Sequence, residues 1–265
     1  MSTNQSVFKT IGGLLCAAWL PLTPLAVLAD GQPAFGRDQG WATPISDKPY
    51  GRLMINRLEY AAGDDEDSVN LEFQGWYGGD YNRVWIKAEV EDVVSGGSGG
   101  SGGAVEKLDL LYDRLISPYW SLRAGAGYQF EYGPGPNPDR VYGVVGLKGL
   151  APYWFEVDTS LRLSEDGDAW ADLEVDYDFL LTQRLILQPR FSTLVAFDEV
   201  EEFGVGQGIN HIKLGLRLRY EIRREFAPYV GVSWNKKLGD TADLAKAEGK
   251  DSGDLRLLAG LRLWF

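Results

Sequence analysis

The chain has 265 residues, with 26 Lys and Arg against 38 Asp and Glu, a formal net charge of -12. That acidic balance excludes a nucleic-acid binder, which needs a basic face against phosphates, and one His, one Cys and two Met leave few soft ligands for a metal cage. A mean hydropathy of -0.20 excludes a helical membrane protein, but not a membrane barrel, whose strands alternate polar and apolar residues.

Residues 1–29 read as a cleavable export signal. Lys9 supplies the positive start, Ile11 to Leu28 the apolar run, and Val27-Leu28-Ala29 the compact residues before the cut. Pro21 and Pro24 break the run, which argues against an uncleaved helical anchor. Leu15 before Cys16 is wrong for a lipoprotein signal, and beyond the cut no Cys remains for thiolate chemistry. Residues 30–49 are polar with Gly and Pro, and are expected to form a short periplasmic tail without a core.

From residue 50 to 265 the pattern has period two. Ile212, Leu214, Leu216, Leu218 and Tyr220 alternate with His211, Lys213, Gly215, Arg217 and Arg219; a strand sorts such residues onto two faces, whereas a helix scatters them. About twelve strands are expected, near 51–62, 68–78, 83–94, 105–116, 120–130, 140–150, 154–164, 169–178, 184–196, 210–222, 228–237 and 254–264. Many reach the roughly 9–11 residues that a tilted strand needs to cross a bilayer. Ser117-Pro118-Tyr119-Trp120, Ala151-Pro152-Tyr153-Trp154 and Ala227-Pro228-Tyr229 place rings beside turns, as an interfacial girdle does. The apolar alternation ending at Phe265 suits a partner in the outer-membrane assembly machinery. The expected fold is all-β, a transmembrane outer-membrane antiparallel barrel. Short connections follow the even-numbered strands, which predicts both termini in the periplasm. Residues 95–103, SGGSGGSGG, read as a flexible external loop without chemistry.

In such a barrel the charged face lines the lumen. Parity assigns Arg57, Glu59, Glu72, Lys87, Glu89, Asp109, Arg123, Arg162, Arg190, Lys213, Arg217, Arg219, Arg256 and Arg262 to it, with an acidic wall of Glu156, Asp158, Asp172, Glu174 and Asp176. Charges of opposite sign should pair across a narrow interior, because an unpaired buried charge is costly. These pairs either fill and rigidify the barrel, or leave the acidic wall as an ion path or a site for a cation. His211, the single histidine, reads as a rim residue beside Lys213. One imidazole cannot make a transition-metal site alone. For a lipolytic barrel, His211 would need a serine nucleophile within reach and access to lipid, yet its parity points inward. Gly204-Val205-Gly206-Gln207-Gly208 precedes no helix pattern, so a phosphate cradle fails.

Longer phrases carry a resemblance. Leu115-Ile116-Ser117-Pro118-Tyr119-Trp120, Gly149-Leu150-Ala151-Pro152-Tyr153-Trp154-Phe155-Glu156-Val157-Asp158, Leu181-Thr182-Gln183-Arg184-Leu185-Ile186-Leu187-Gln188-Pro189, Phe226-Ala227-Pro228-Tyr229 and the ending Arg262-Leu263-Trp264-Phe265 resemble the copper resistance protein B family, from about residue 50 onward. The resemblance implies an outer-membrane protein of a Gram-negative bacterium that binds or passes the copper ion, and not an enzyme. It also implies outer-membrane lipid and periplasmic copper-resistance proteins as partners. Relatives commonly carry a Met- and His-rich segment before the barrel; residues 30–48 here hold no Met, His or Cys. The barrel is then the place for copper, with Glu156, Asp158, Asp172, Glu174, Asp176 and His211 as candidate ligands. The rival readings are a general small-solute or structural barrel and, further off, the lipolytic enzyme.

Overall fold

The computed structural model describes residues 49–63, 66–96, 102–133, 137–247, 249 and 251–265. The export signal at 1–29, nearly all of the tail and the centre of the Gly/Ser loop lie outside the described residues. Thirteen strands form one sheet: β1 (Tyr50–Ala62), β2 (Glu66–Gly78), β3 (Asn82–Gly96), β4 (Gly103–Ser117), β5 (Trp120–Tyr132), β6 (Asp139–Ala151), β7 (Phe155–Ser164), β8 (Ala169–Asp176), β9 (Phe179–Leu180), β10 (Leu185–Ala196), β11 (Gly208–Tyr220), β12 (Phe226–Lys237) and β13 (Gly253–Trp264). The two-residue β9 pairs with the same edge of β10 as β8 does, so the two are one interrupted strand and the barrel has twelve walls. Every pairing is antiparallel between neighbours in sequence, and β13 returns to β1 with Tyr60 opposite Ala259. The barrel is closed, so no edge is left to pair with another chain.

The polarity is that of a barrel in lipid. Outward-facing Leu110 and Leu257 are 61% and 64% exposed, while inward-facing Asp109 and Arg123 are 1% and 3% exposed. A water-soluble sheet would reverse this; lipid accepts the leucines, and the lumen charges satisfy one another. Tyr77, Tyr81, Tyr119, Tyr153, Trp154 and Phe265 are exposed at the end that carries the short turns, as a ring of interfacial aromatics. Tyr50 and Phe265 both lie at this short-turn end, where the Phe265 backbone exchanges hydrogen bonds with Leu53 at 2.8 and 3.1 Å.

Bulges break the parity, among them one on β1 and one on β4. On β1, Ile55 faces Phe73 and Arg57 faces Glu72, leaving Asn56 extra. On β4, Val105 faces Val90 and Lys107 faces Glu89, leaving Glu106 extra. An extra residue re-aims the side chains after it, so consecutive pairs, Asn56–Arg57 and Glu106–Lys107, both reach the interior.

The long-loop end holds structure that alternation does not announce. The 238–253 connection contains helix α1 (Gly239–Ala247), which buries Thr241, Ala242 and Ala245. The Thr241 hydroxyl accepts the Gly206 N–H at 2.9 Å and ties the helix to the preceding loop. That loop folds back through a Val200–Val205 bridge around a short helical turn, Glu201–Phe203.

Candidate functional site

Two cavities of the lumen meet at a set of ion pairs. The cavity toward the long loops has a volume of about 350 Å³ and that toward the short turns about 270 Å³. Arg57, Glu174, Arg190 and Arg217 line both, and so form the partition. Arg190 is its centre: its guanidinium donates to Glu174 at 2.7 Å and Glu72 at 3.2 Å, and lies 3.8 Å from Asp176. Glu72 also takes Arg57 at 2.5 Å, and Lys107 bridges Glu89 and Glu174 at 3.1 and 3.5 Å.

Three further groups pack in and around this partition. Asp109 accepts the Tyr142 hydroxyl at 2.7 Å and Arg162 at 3.1 Å, and Arg162 also pairs with Asp172. Arg217 grips both oxygens of Glu59 at 3.0 and 3.1 Å, and the Tyr229 hydroxyl adds a third bond at 3.0 Å. Arg123 holds Asp113 at 2.9 Å and stacks 4.4 Å from the centre of the Trp85 ring. Each is a charge-assisted bond among buried groups, and a fork donating to both carboxylate oxygens fixes direction as well as energy.

The acidic wall is therefore largely used. Asp158 receives Lys87, Arg123 and Lys148 at 2.6, 3.2 and 3.5 Å. Asp172 is held by Arg162 and the Ser160 hydroxyl, and Glu174 and Asp176 by Arg190. Glu156 lines the short-turn cavity without a salt bridge among the described residues. His211 lines the long-loop cavity, where the charges around it are Lys213, Lys107, Lys237 and Glu174. With three lysines and a single acid among these charges, the imidazole itself is a poor place for a cation. No serine hydroxyl is hydrogen-bonded to the His211 imidazole among the described residues, and the ring does not face lipid. The second soft donor, the Met54 thioether, lies in the other cavity. Among the described residues no three His, Cys, Asp or Glu side chains stand close enough to cage a metal.

Glu106 departs from this pattern. It lines the long-loop cavity, has no hydrogen bond or salt bridge among the described residues, and projects from the β4 bulge. The charges around it are Glu91, Lys213, Glu89 and Lys107, but Glu91 is taken by Arg256 at 2.6 Å and Glu89 by Lys107. Sequence parity passed over Glu106 because a bulge cannot be seen in an alternation.

The copper resistance protein B precursor family (CopB) matches residues 49–265, the whole barrel. The chain belongs to the copper resistance protein B family. Copper resistance protein B of Escherichia coli is 40% identical over 245 residues, covering 92% of this chain and 79% of that protein. The copper resistance protein B homolog of Pseudomonas syringae pv. tomato is 35% identical over 246 residues, covering 92% and 80%. Among solved structures, KdgM porin aligns over 81% of this chain and 99% of its own with 13% identity and a TM-score of 0.48. Membership of the copper resistance protein B family supports a role in copper resistance.

Proposed function

We propose that this protein supports copper tolerance from the outer membrane by holding the divalent copper ion in the long-loop cavity, not by passing it through an open pore and not by catalysis. The observation that carries the reading is Glu106, a carboxylate without an ion-pair partner among the described residues, lining a cavity of about 350 Å³. Carboxylate oxygens suit a hard, divalent ion, and the absence of a nearby thioether removes the preference for the monovalent one. With so few soft donors the hold is weak and exchanges readily. In this reading the short-turn end faces the periplasm, with both ends of the barrel domain there, and a leader ending near Ala29 delivers the chain across the inner membrane of a Gram-negative cell. Periplasmic copper-resistance proteins are then the natural partners, and β13 with the following Phe265 the handle for assembly.

The test has two arms. In cells lacking the gene, wild-type protein should restore growth on copper, and Glu106→Gln should restore it less well at equal membrane abundance. Purified protein in detergent, dialysed against copper(II), should retain the ion in a Glu106-dependent manner. Unchanged copper tolerance on deletion sinks the role; equal copper retention by wild type and Glu106→Gln sinks the site. Lipolysis by the purified protein that is lost in His211→Ala would instead establish the enzyme.

A further inference from the structure

The short-turn cavity holds a surplus of cations. Eight of its lining residues are Arg or Lys and five are Asp or Glu. Most of the bases are committed, as Arg57, Arg190, Arg217 and Lys87 each salt-bridge a carboxylate. Among the described residues, Arg52 and Arg262 do not. Arg262 has the Met54 Sδ as its hydrogen-bond partner, at 3.8 Å. Arg52 stacks 4.4 Å from the centre of the Trp264 ring, and its buried Nε has no partner.

The acids nearby do not cancel this surplus. The charges around Arg262 are Arg219, Asp178, Glu156 and Arg52. Asp178 already accepts from Arg219 at 2.8 Å, which leaves Glu156 against two uncommitted arginines. Lys148 adds a third base, because its carboxylate, Asp158 at 3.5 Å, is shared with Lys87 and Arg123. Like charges gathered in a confined space repel, and an anion placed among them is attracted for the same reason. The guanidinium fork matches the paired oxygens of a carboxylate or phosphate, and stacking on Trp264 fixes one fork in advance. At about 270 Å³ the cavity is several times the roughly 30 Å³ share of a liquid water molecule.

We propose that the short-turn cavity binds a small oxyanion, of the phosphate or carboxylate class, between Arg52 and Arg262. The site is separate from Glu106 and lies beyond the partition. Its surplus positive charge also opposes a bare copper cation at that end of the lumen.

The test uses the full chain purified in detergent and titrated calorimetrically with inorganic phosphate in one arm and citrate in the other, in buffer free of both. Saturable binding in either arm, or both, is expected, and the stronger arm names the source. Arg52→Gln and Arg262→Gln should each weaken binding roughly tenfold, the loss of one charge-assisted contact. Arg52→Lys should fall between, since it keeps the charge and loses the fork. Lys246→Gln, on α1 at the other end of the barrel, serves as the control and should bind like wild type. Should either Gln variant fail to fold, the other carries the comparison, with folding read from the heat-dependent gel shift of a closed barrel. Absence of binding in both arms, or equal affinity in wild type and the folded Gln variants, overturns the proposal.

Discussion

Replacing Arg190 by alanine withdraws the side chain that lines both cavities and stands between Glu72, Glu174 and Asp176. Removing one partner of a buried pair costs about 3–5 kcal/mol, because the remaining charge is stranded. Here two of the three acids retain a base: Glu72 keeps Arg57 at 2.5 Å and Glu174 keeps Lys107 at 3.5 Å. Asp176 loses its salt bridge, though water from the cavities can reach the gap. The expected loss is therefore at the low end, about 3 kcal/mol. In guanidinium unfolding from lipid vesicles, with a slope of a few kcal/mol per molar, that moves the midpoint down by about 1 M. The same deletion joins the two cavities, so planar-bilayer recordings should show conductance where the parent shows little. A variant that unfolds with the parent and conducts no better would refute the idea that ion pairs around Arg190 both brace the barrel and close it.

Other substitutions probe the remaining layers. Leu214, at the middle of β11 and 46% exposed, faces lipid; Leu214→Arg should cost about 2–4 kcal/mol in bilayer unfolding, whereas on a water-facing surface it would be nearly neutral. Gly127→Ala would drive its Cβ to 2.5 Å from Tyr142 Cε2 and onto the Asp109 carboxylate. Overpacking of this kind costs about 1–3 kcal/mol, and Asp109→Asn, which removes the charge facing Arg162 without adding bulk, should destabilise through a different loss. If Gly127→Ala and Asp109→Asn are fully additive in unfolding, the Tyr142–Asp109 contact at 2.7 Å does not couple them.

How far the sequence could be read depended on what each feature leaves in an alternation. The strand spans agree within a few residues, because apolar residues against lipid and charges against the lumen repeat every second position. Strand eight was expected to run to 178; it stops at Asp176 and resumes at Phe179. Helix α1 buries only Thr241, Ala242 and Ala245, small residues too weakly apolar to signal a period. Asp113, Arg140 and Lys148 share the parity of Asp109, Tyr142 and Val144 and were open to the same reasoning carried a few residues further. Lys107 shares the Asp109 parity as well; Glu106 does not, since adjacent residues can both face inward only through a bulge. The acidic wall is visible as composition along β7 and β8, but apart from Arg162 its bases come from other strands, β3, β4, β5, β6 and β10. Strand order supplies that adjacency; spacing within one strand does not.

The seam between β1 and β13 has a consequence for how the molecule is made. Tyr60 and Ala259 are neighbours across it, yet almost the whole barrel lies between them along the chain. Hairpins such as β5–β6 can zip locally as they emerge, whereas the seam must wait until the final strand has been delivered, and bringing such distant segments together is entropically slow. Until that moment an incomplete ribbon presents two raw margins to its surroundings. Shortening the chain within β13 would therefore be expected to yield an unclosed sheet seeking another partner, not a slightly smaller version of the same cylinder.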